Sequence, residues 1–189
     1  MLSAGTKNQN GTWTLTSTQL AGLTLTPAAN SDADFVLTIT ATSHEANGST
    51  AITSAQLPVT VNGVADAPTL SVAAASGNED TAIALSISSA LTDTDGSETL
   101  SVTITGVPAT ASLSAGTKNA NGSWTLTPDQ LTGLTITPAN NSDADFTLTV
   151  TATSHEANGS TAITTAQLPV TVAGVADVPT LSVTAASGK

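Results

Sequence analysis

The chain has 189 residues, with three Lys, no Arg, fourteen Asp or Glu, no Cys and a formal net charge of −11. Nucleic-acid affinity rests on Lys and Arg, and docking on an anionic membrane rests on a polybasic cluster, so neither partner fits this composition. The missing Cys excludes a disulfide scaffold, and no apolar run approaches the roughly 18 residues of a transmembrane helix or follows the pattern of a Sec-type leader.

The text of Leu2–Asn78 returns at Leu113–Lys189 without a gap, offset by 111 positions and identical at about four positions in five. A near-perfect repeat of domain length is the mark of whole modules in tandem. Such an array favours properties that grow with copy number, such as length or valency, over a single active site.

One full module is expected over 66–176, preceded by an incomplete module over 1–65 and followed at 177–189 by a linker and the first strand of another. Its strands read in order as Thr69–Val72, Ala82–Ser88, Thr99–Ile104, Ala111–Ala115, Ser123–Thr127, Phe146–Ala152 and Ala162–Val172. A short extra segment covers Leu134–Thr137, and Pro128–Leu131 reads as one helical turn. Throughout, apolar residues alternate with Ser and Thr: Phe146, Leu148, Val150 and Ala152 face one way, Thr147, Thr149 and Thr151 the other. Period two with one apolar face predicts half-buried antiparallel sheets packed as an all-β sandwich. Asn121-Gly122 predicts a two-residue hairpin turn. Pro169 predicts an edge position or a bulge in the last strand.

The first copy lacks the strands that 66–112 supply to the second. Met1 stands where the second copy has Ser112, which reads as an initiator on a segment taken from a longer array. Four strands with an uncovered apolar face are marginal alone. The expectation is that another chain or a neighbouring copy covers that face.

Few residues are charged, so the acids are informative. Asp93-Thr-Asp95 and Asp143-Ala-Asp145 (repeated as Asp32-Ala-Asp34) are Asp-x-Asp pairs in loops. Two carboxylates on one side of an extended segment repel unless a cation lies between them, and Ca²⁺ suits flexible loops of oxygen ligands. A chain that enters a module at one end and leaves at the other crosses it an odd number of times. Treating Leu134–Thr137 as lateral places Glu79, Asp80, Asp143 and Asp145 at the exit end, with Asp177 in the exit linker. Asp93, Asp95 and Glu98 fall at the entry end with Glu156. The joint inside this chain is then expected to gather Asp32, Asp34, Asp66, Asp93 and Asp95, with Glu98 as a further ligand or a turn cap.

Val-Ala-Asp66-Ala-Pro68, Gly77-Asn-Glu79-Asp80-Thr81, Asp93-Thr-Asp95-Gly96-Ser-Glu98 and Asn141-Ser-Asp-Ala-Asp145-Phe resemble the bacterial cadherin-like (VCBS-type) repeats of giant RTX adhesins. Gly122-Ser-Trp124-Thr-Leu-Thr-Pro128 and Leu134-Thr-Ile-Thr-Pro138 are similar to the same repeats, so the resemblance spans nearly the whole chain. It implies an Ig-like, cadherin-like Greek-key sandwich and Ca²⁺ at module joints. It also implies type I secretion to the bacterial cell surface, where such repeats extend a ligand-binding tip in cell adhesion and biofilm formation.

Plainer readings stand beside these. Asp is a turn former, so the Asp-x-Asp pairs also fit simple turn chemistry. There is no EF-hand, because position twelve from Asp93 would be Ile104, and no RTX nonapeptide. His155-Glu156 and His44-Glu45 read as solvated loops, and Trp124 reads as core. Asn10-Gly-Thr12 and Asn47-Gly-Ser49 match a glycosylation sequon but read first as turns. The outward Thr rows leave open a carbohydrate- or ice-binding face, and the incomplete module leaves open a self-assembling fibre. Nothing in the sequence resembles a catalytic constellation, so no enzyme is expected.

Overall fold

The computed structural model describes residues 1–188. The fold is all-β, and the chain divides into two compact units. Unit 1 comprises Met1–Ala65 with Asp93–Glu98 and His155–Thr161; unit 2 comprises Asp66–Thr92, Thr99–Ser154 and the remainder.

In unit 1, β1 (Thr6–Lys7) pairs with β2 (Trp13–Thr14), and Leu2 bridges Leu25. A 3-10 turn follows at Ser17–Gln19. The long strands β3 (Phe35–His44) and β4 (Thr50–Val59) pair antiparallel over ten positions, from Phe35 opposite Val59 to His44 opposite Thr50. Neither pair has another neighbour among the described residues: unit 1 holds two separate two-stranded sheets.

Unit 2 opens with β5 (Thr69–Ala73) and β6 (Ala75–Asn78), then β7 (Ile83–Ala84), β8 (Ser86–Ala90) and β9 (Glu98–Thr105). Next come β10 (Ser112–Leu113), β11 (Thr117–Lys118) and β12 (Trp124–Leu126), followed by a 3-10 turn at Pro128–Leu131. The last strands are β13 (Thr135–Thr137), β14 (Phe146–Glu156) and β15 (Thr161–Ala173). One sheet has the order β11-β12-β9-β14-β15-β6; a second has β10-β13-β7; β5 pairs with β8. Residues of these sheets enter one hydrophobic cluster, with Val102, Ile104, Ile136, Leu148, Val150 and Leu168 fully buried. The alternation of Thr with aliphatic residues produces this: one face of the longer strands enters the cluster and the other presents hydroxyls.

Several elements differ from the sequence reading. The strand expected over Thr69–Val72 is followed by a second one, β6, which crosses to pair parallel with β15. The strand expected over Ala82–Ser88 breaks at Leu85 and serves two sheets, β7 against β13 and β8 against β5. Leu134–Thr137 is not lateral: β13 sits between β10 and β7, because Ile136 is needed in the core. Asn121-Gly122 does not make a two-residue hairpin. Lys118 pairs with Trp124, so the loop is 119–123, closed by Asn119 N–H to the Ser123 carbonyl at 2.8 Å. Pro169 does take an edge position, just ahead of the ladder that β15 forms with β6. The β6 ladder begins only at Val170, so the missing N–H interrupts nothing on that side.

The two copies fare differently at matching positions. Leu131, Val150 and Leu168 are 5%, 0% and 0% exposed, whereas their counterparts Leu20, Ile39 and Leu57 are 58%, 51% and 48% exposed. The strands that cover the second copy's face, β5 to β9, come from residues 66–112, of which only the start, 66–77, recurs in the chain. Residues 177–188 repeat Asp66–Gly77 but form no strand, and Val178, Leu181 and Val183 are exposed.

Candidate metal centre

Two acidic poles emerge, each within a single unit. In unit 1 the loop Asp93–Glu98 and the β14–β15 turn lie in the same compact body as the first copy. The Asp-Thr-Asp segment folds as consecutive Asx turns: Asp95 N–H donates to Asp93 Oδ1 at 2.9 Å, and Ser97 N–H donates to Asp95 Oδ1 at 2.9 Å. The Ser97 hydroxyl also donates to Asp95 Oδ1, at 2.6 Å. That hydroxyl, then the Ser97 amide, hold the Asp95 carboxyl below its usual value of 3.8; burial opposes them, and the Asp32 backbone adds a smaller lowering. Asp32 thus meets Asp95 through its main chain.

Asp93, Glu98 and Glu156 are buried, at 4%, 7% and 6% exposure. Ser97 Oγ reaches Glu156 Oε1 at 3.3 Å. The Glu156 carboxylate lies flat on Gly63, where an added Cβ would fall 2.9 Å from both oxygens. Asn158 Nδ2 donates to the Gly63 carbonyl at 2.7 Å, and Ala65 N–H donates to Ser160 Oγ at 3.1 Å, fixing the turn against this segment. Asp34 acts differently. Its Oδ1 accepts the Val61 N–H at 2.8 Å and ties the start of β3 to the residues after β4.

Unit 2 builds the other pole where β6 and β15 end side by side, Asn78 opposite Ala173. Glu79 N–H donates to the Ala173 carbonyl at 2.9 Å, and Glu79 Oε1 accepts the Val175 N–H at 2.7 Å. Glu79 is buried. Asp145 repeats the Asp34 arrangement, accepting the Val172 N–H at 2.8 Å. Asp143 packs on Gly174, the counterpart of Gly63: a Cβ there would meet Asp143 Oδ2 at 3.4 Å and Glu79 Oε1 at 3.7 Å. Asp80, in the left-handed region at φ 58°, accepts the Asn141 N–H at 2.9 Å. In its better amide orientation the Asn141 side chain donates to both Asp80 and Asp177.

The candidate ligands are therefore sorted rather than pooled. Glu79, Asp80, Asp143, Asp145 and Asp177 share one pole. Asp32, Asp93, Asp95 and Glu98 share the other, with Asp34 nearby on its backbone bond. Asp66 belongs to unit 2, where its carbonyl accepts the Ser154 hydroxyl at 2.6 Å. Among the described residues, no three His, Cys, Asp or Glu converge at metal-ligand geometry. The donor chemistry nevertheless fits Ca²⁺: both poles offer only hard oxygens, carboxylate and carbonyl, and no thiolate.

Glu156 corrects the sequence reading. A solvated loop was expected at His155-Glu156, yet Glu156 is among the most buried acids. The signal lay in Gly63 and Gly174, repeated at the exit of each copy, which leave room for a carboxylate. The sequon sites are turns: Asn10 Oδ1 accepts the Thr12 N–H at 3.1 Å, and Asn47 Oδ1 accepts the Ser49 N–H at 3.0 Å. Trp124 is core, with Lys118 Nζ 6.0 Å from its ring centroid. No helix is long and apolar enough to cross a membrane among the described residues. A scan against models of known protein families and a search of curated proteins both returned no match.

Proposed function

We propose that this chain is a non-catalytic extender segment of a large Ca²⁺-dependent bacterial surface adhesin, built from Ig-like, cadherin-like Greek-key modules. In this reading it is exported by type I secretion and carries a binding tip away from the cell. The observation that carries the reading is the loop cluster of unit 1. Asp93 and Glu156 are buried in that unit, in a chain whose cations are three Lys and two His. Burying carboxylates is costly unless their charge is compensated.

Ca²⁺ would supply compensating charge to oxygen donors in the loops at which successive repeats meet. Asp93, Asp95, Glu98 and Glu156, with Asp32 beside them, would hold it in unit 1; Glu79, Asp80, Asp143 and Asp177 are the corresponding donors of unit 2. Asp34 and Asp145 hold the backbone that presents those donors. The tandem repeat supports a role that scales with length, since each added copy brings the same poles.

Thermal melting and small-angle scattering in Ca²⁺ and in EDTA test the proposal. Ca²⁺ is expected to raise the melting temperature, because a ligand bound only by the folded state stabilises it, and to lengthen the maximum dimension. Identical curves in the two conditions would refute it.

A further inference from the structure

We propose that Asn62-Gly63 is a self-deamidation site, and that the reaction there loosens the β14–β15 turn of unit 1. The chain holds five Asn-Gly pairs, beginning at Asn10, Asn47, Asn62, Asn121 and Asn158. All five Asn are exposed, so access to water does not separate them. Hydrogen bonding does.

Four of the pairs are closed into turns. Gly11, Gly48, Gly122 and Gly159 take positive φ, at 85°, 86°, 84° and 91°. Each donates its N–H, at 2.9–3.1 Å, to the carbonyl two residues before its Asn. Each Asn Oδ1 accepts the N–H two residues on, from Thr12, Ser49, Ser123 and Ser160. Asn62-Gly63 has neither device. It lies outside every strand and turn, and Gly63 has no positive φ. Among the described residues neither the Gly63 N–H nor the Asn62 side chain is hydrogen-bonded. The second copy carries Ala173-Gly174 at the matching position, so the site belongs to the first copy alone.

The reaction needs only water. A solvent base takes the Gly63 amide proton, and the nitrogen attacks Asn62 Cγ. The new N–Cγ bond closes a succinimide as the Cγ–Nδ2 bond breaks, and the side-chain nitrogen leaves as ammonia. Water then opens the ring at one of its two carbonyls. One opening leaves an aspartyl residue at position 62; the other leaves an isoaspartyl residue, with the main chain running through the former side chain. One water is consumed, one ammonia is released, and nothing is oxidised or reduced. At the four turns the attacking nitrogen already donates its proton, and the Asn side chain is clipped to the backbone. Ring closure there must first break both bonds, each of modest net worth.

The site adjoins the acidic pole of unit 1. The Gly63 carbonyl accepts Asn158 Nδ2 at 2.7 Å, and the Glu156 carboxylate fills the space that a Cβ on Gly63 would take. An isoaspartyl residue adds a methylene to the main chain immediately before Gly63, and either product adds a negative charge. Both contacts then shift, and Asn158, whose Oδ1 holds the Ser160 N–H at 2.9 Å, loses its anchor. None of this requires a cation at the pole.

The test ages the full chain at mildly alkaline pH, folded and in concentrated urea, and follows each Asn-Gly pair by peptide mass spectrometry. Dividing each folded rate by the same site's rate in urea cancels the effect of the preceding side chain, Val61 here and Ala or Gln elsewhere. The ratio at Asn62 should exceed the ratio at every turn by at least about tenfold, some 1.4 kcal/mol of turn opening. In the aged parent chain the Ser160 amide should exchange at least about threefold faster than in an equally aged Asn62→Ala chain. A ratio at Asn62 no higher than at the turns would overturn the proposal. So would equal Ser160 exchange in the two aged chains once Asn62 has been converted in the parent.

Discussion

Leu57 and Leu168 are the same residue at the same repeat position, yet truncating them should have very different costs. Leu168 is 0% exposed and sits in the unit 2 core; Leu57 is 48% exposed. Leu→Ala removes three carbons, about 2.4 kcal/mol of transfer free energy at ~0.8 per methylene. At Leu168 the full transfer loss applies and a cavity is left, so the cost is about 3–4 kcal/mol, inside the usual range of roughly 2–5. At Leu57 about half the side chain is already in water and no enclosed cavity forms, which leaves about 1 kcal/mol. Urea unfolding separates the two: Trp13 reports unit 1 in a Trp124→Phe background, and Trp124 reports unit 2 in a Trp13→Phe background. With a urea slope of about 1–2 kcal/mol/M, Leu168→Ala should lower the Trp124 midpoint by about 2 M or more, and Leu57→Ala should lower the Trp13 midpoint by less than about 1 M. Equal losses at both sites would show that the first copy's face is covered after all, and the predicted asymmetry would fail.

Two glycines give a second paired prediction. Gly106 and Gly122 both have positive φ, 81° and 84°, but a Cβ at Gly106 would meet the Thr147 carbonyl oxygen at 2.6 Å while Gly122 faces open space. Gly122→Ala should cost about 1–2 kcal/mol from backbone strain alone, and Gly106→Ala about 2–4 kcal/mol with the clash added, read from thermal melts. Ser154→Ala removes the 2.6 Å hydroxyl bond to the Asp66 carbonyl and should cost about 0.5–1.5 kcal/mol by urea unfolding of unit 2. Gly63→Ala should displace the Glu156 carboxylate, whereas Gly174→Ala meets only ordinary contact distances. In a Ca²⁺ titration the first should therefore weaken binding in unit 1 by about tenfold, some 1.4 kcal/mol, and the second should change it little in unit 2.

The strands were legible because Thr and aliphatic residues alternate so cleanly that period two admits one reading. The long pair was read at Phe146–Ala152 and Ala162–Val172; the structure carries the first strand four residues further, to Glu156, and the second one residue further at each end. The break at Leu85 was not legible. Ile83, Leu85 and Ile87 keep perfect alternation across it, and only pairing to two different sheets divides the strand. The role of Leu134–Thr137 was hidden for a related reason: three residues carry too little pattern to tell a lateral segment from the centre of a small sheet. At the acidic poles, turn chemistry was visible in Asp93-Thr-Asp95-Gly96. What escaped was which acids go under, since the burial of Glu156 depends on a glycine some 90 residues away in sequence, Gly63. Asp34 and Asp145 were legible as loop acids, but their backbone bonds to Val61 and Val172 arise from strand ends meeting in space.

Whether the acidic poles hold Ca²⁺ is best decided by titrating Ca²⁺ into the EDTA-stripped chain and reading the heat by calorimetry. Saturable binding is expected, weakened at least about tenfold in Asp93→Asn/Glu156→Gln, with the folded state of that variant checked by circular dichroism. No binding heat at millimolar Ca²⁺, or the same isotherm for the variant, would overturn the Ca²⁺ reading.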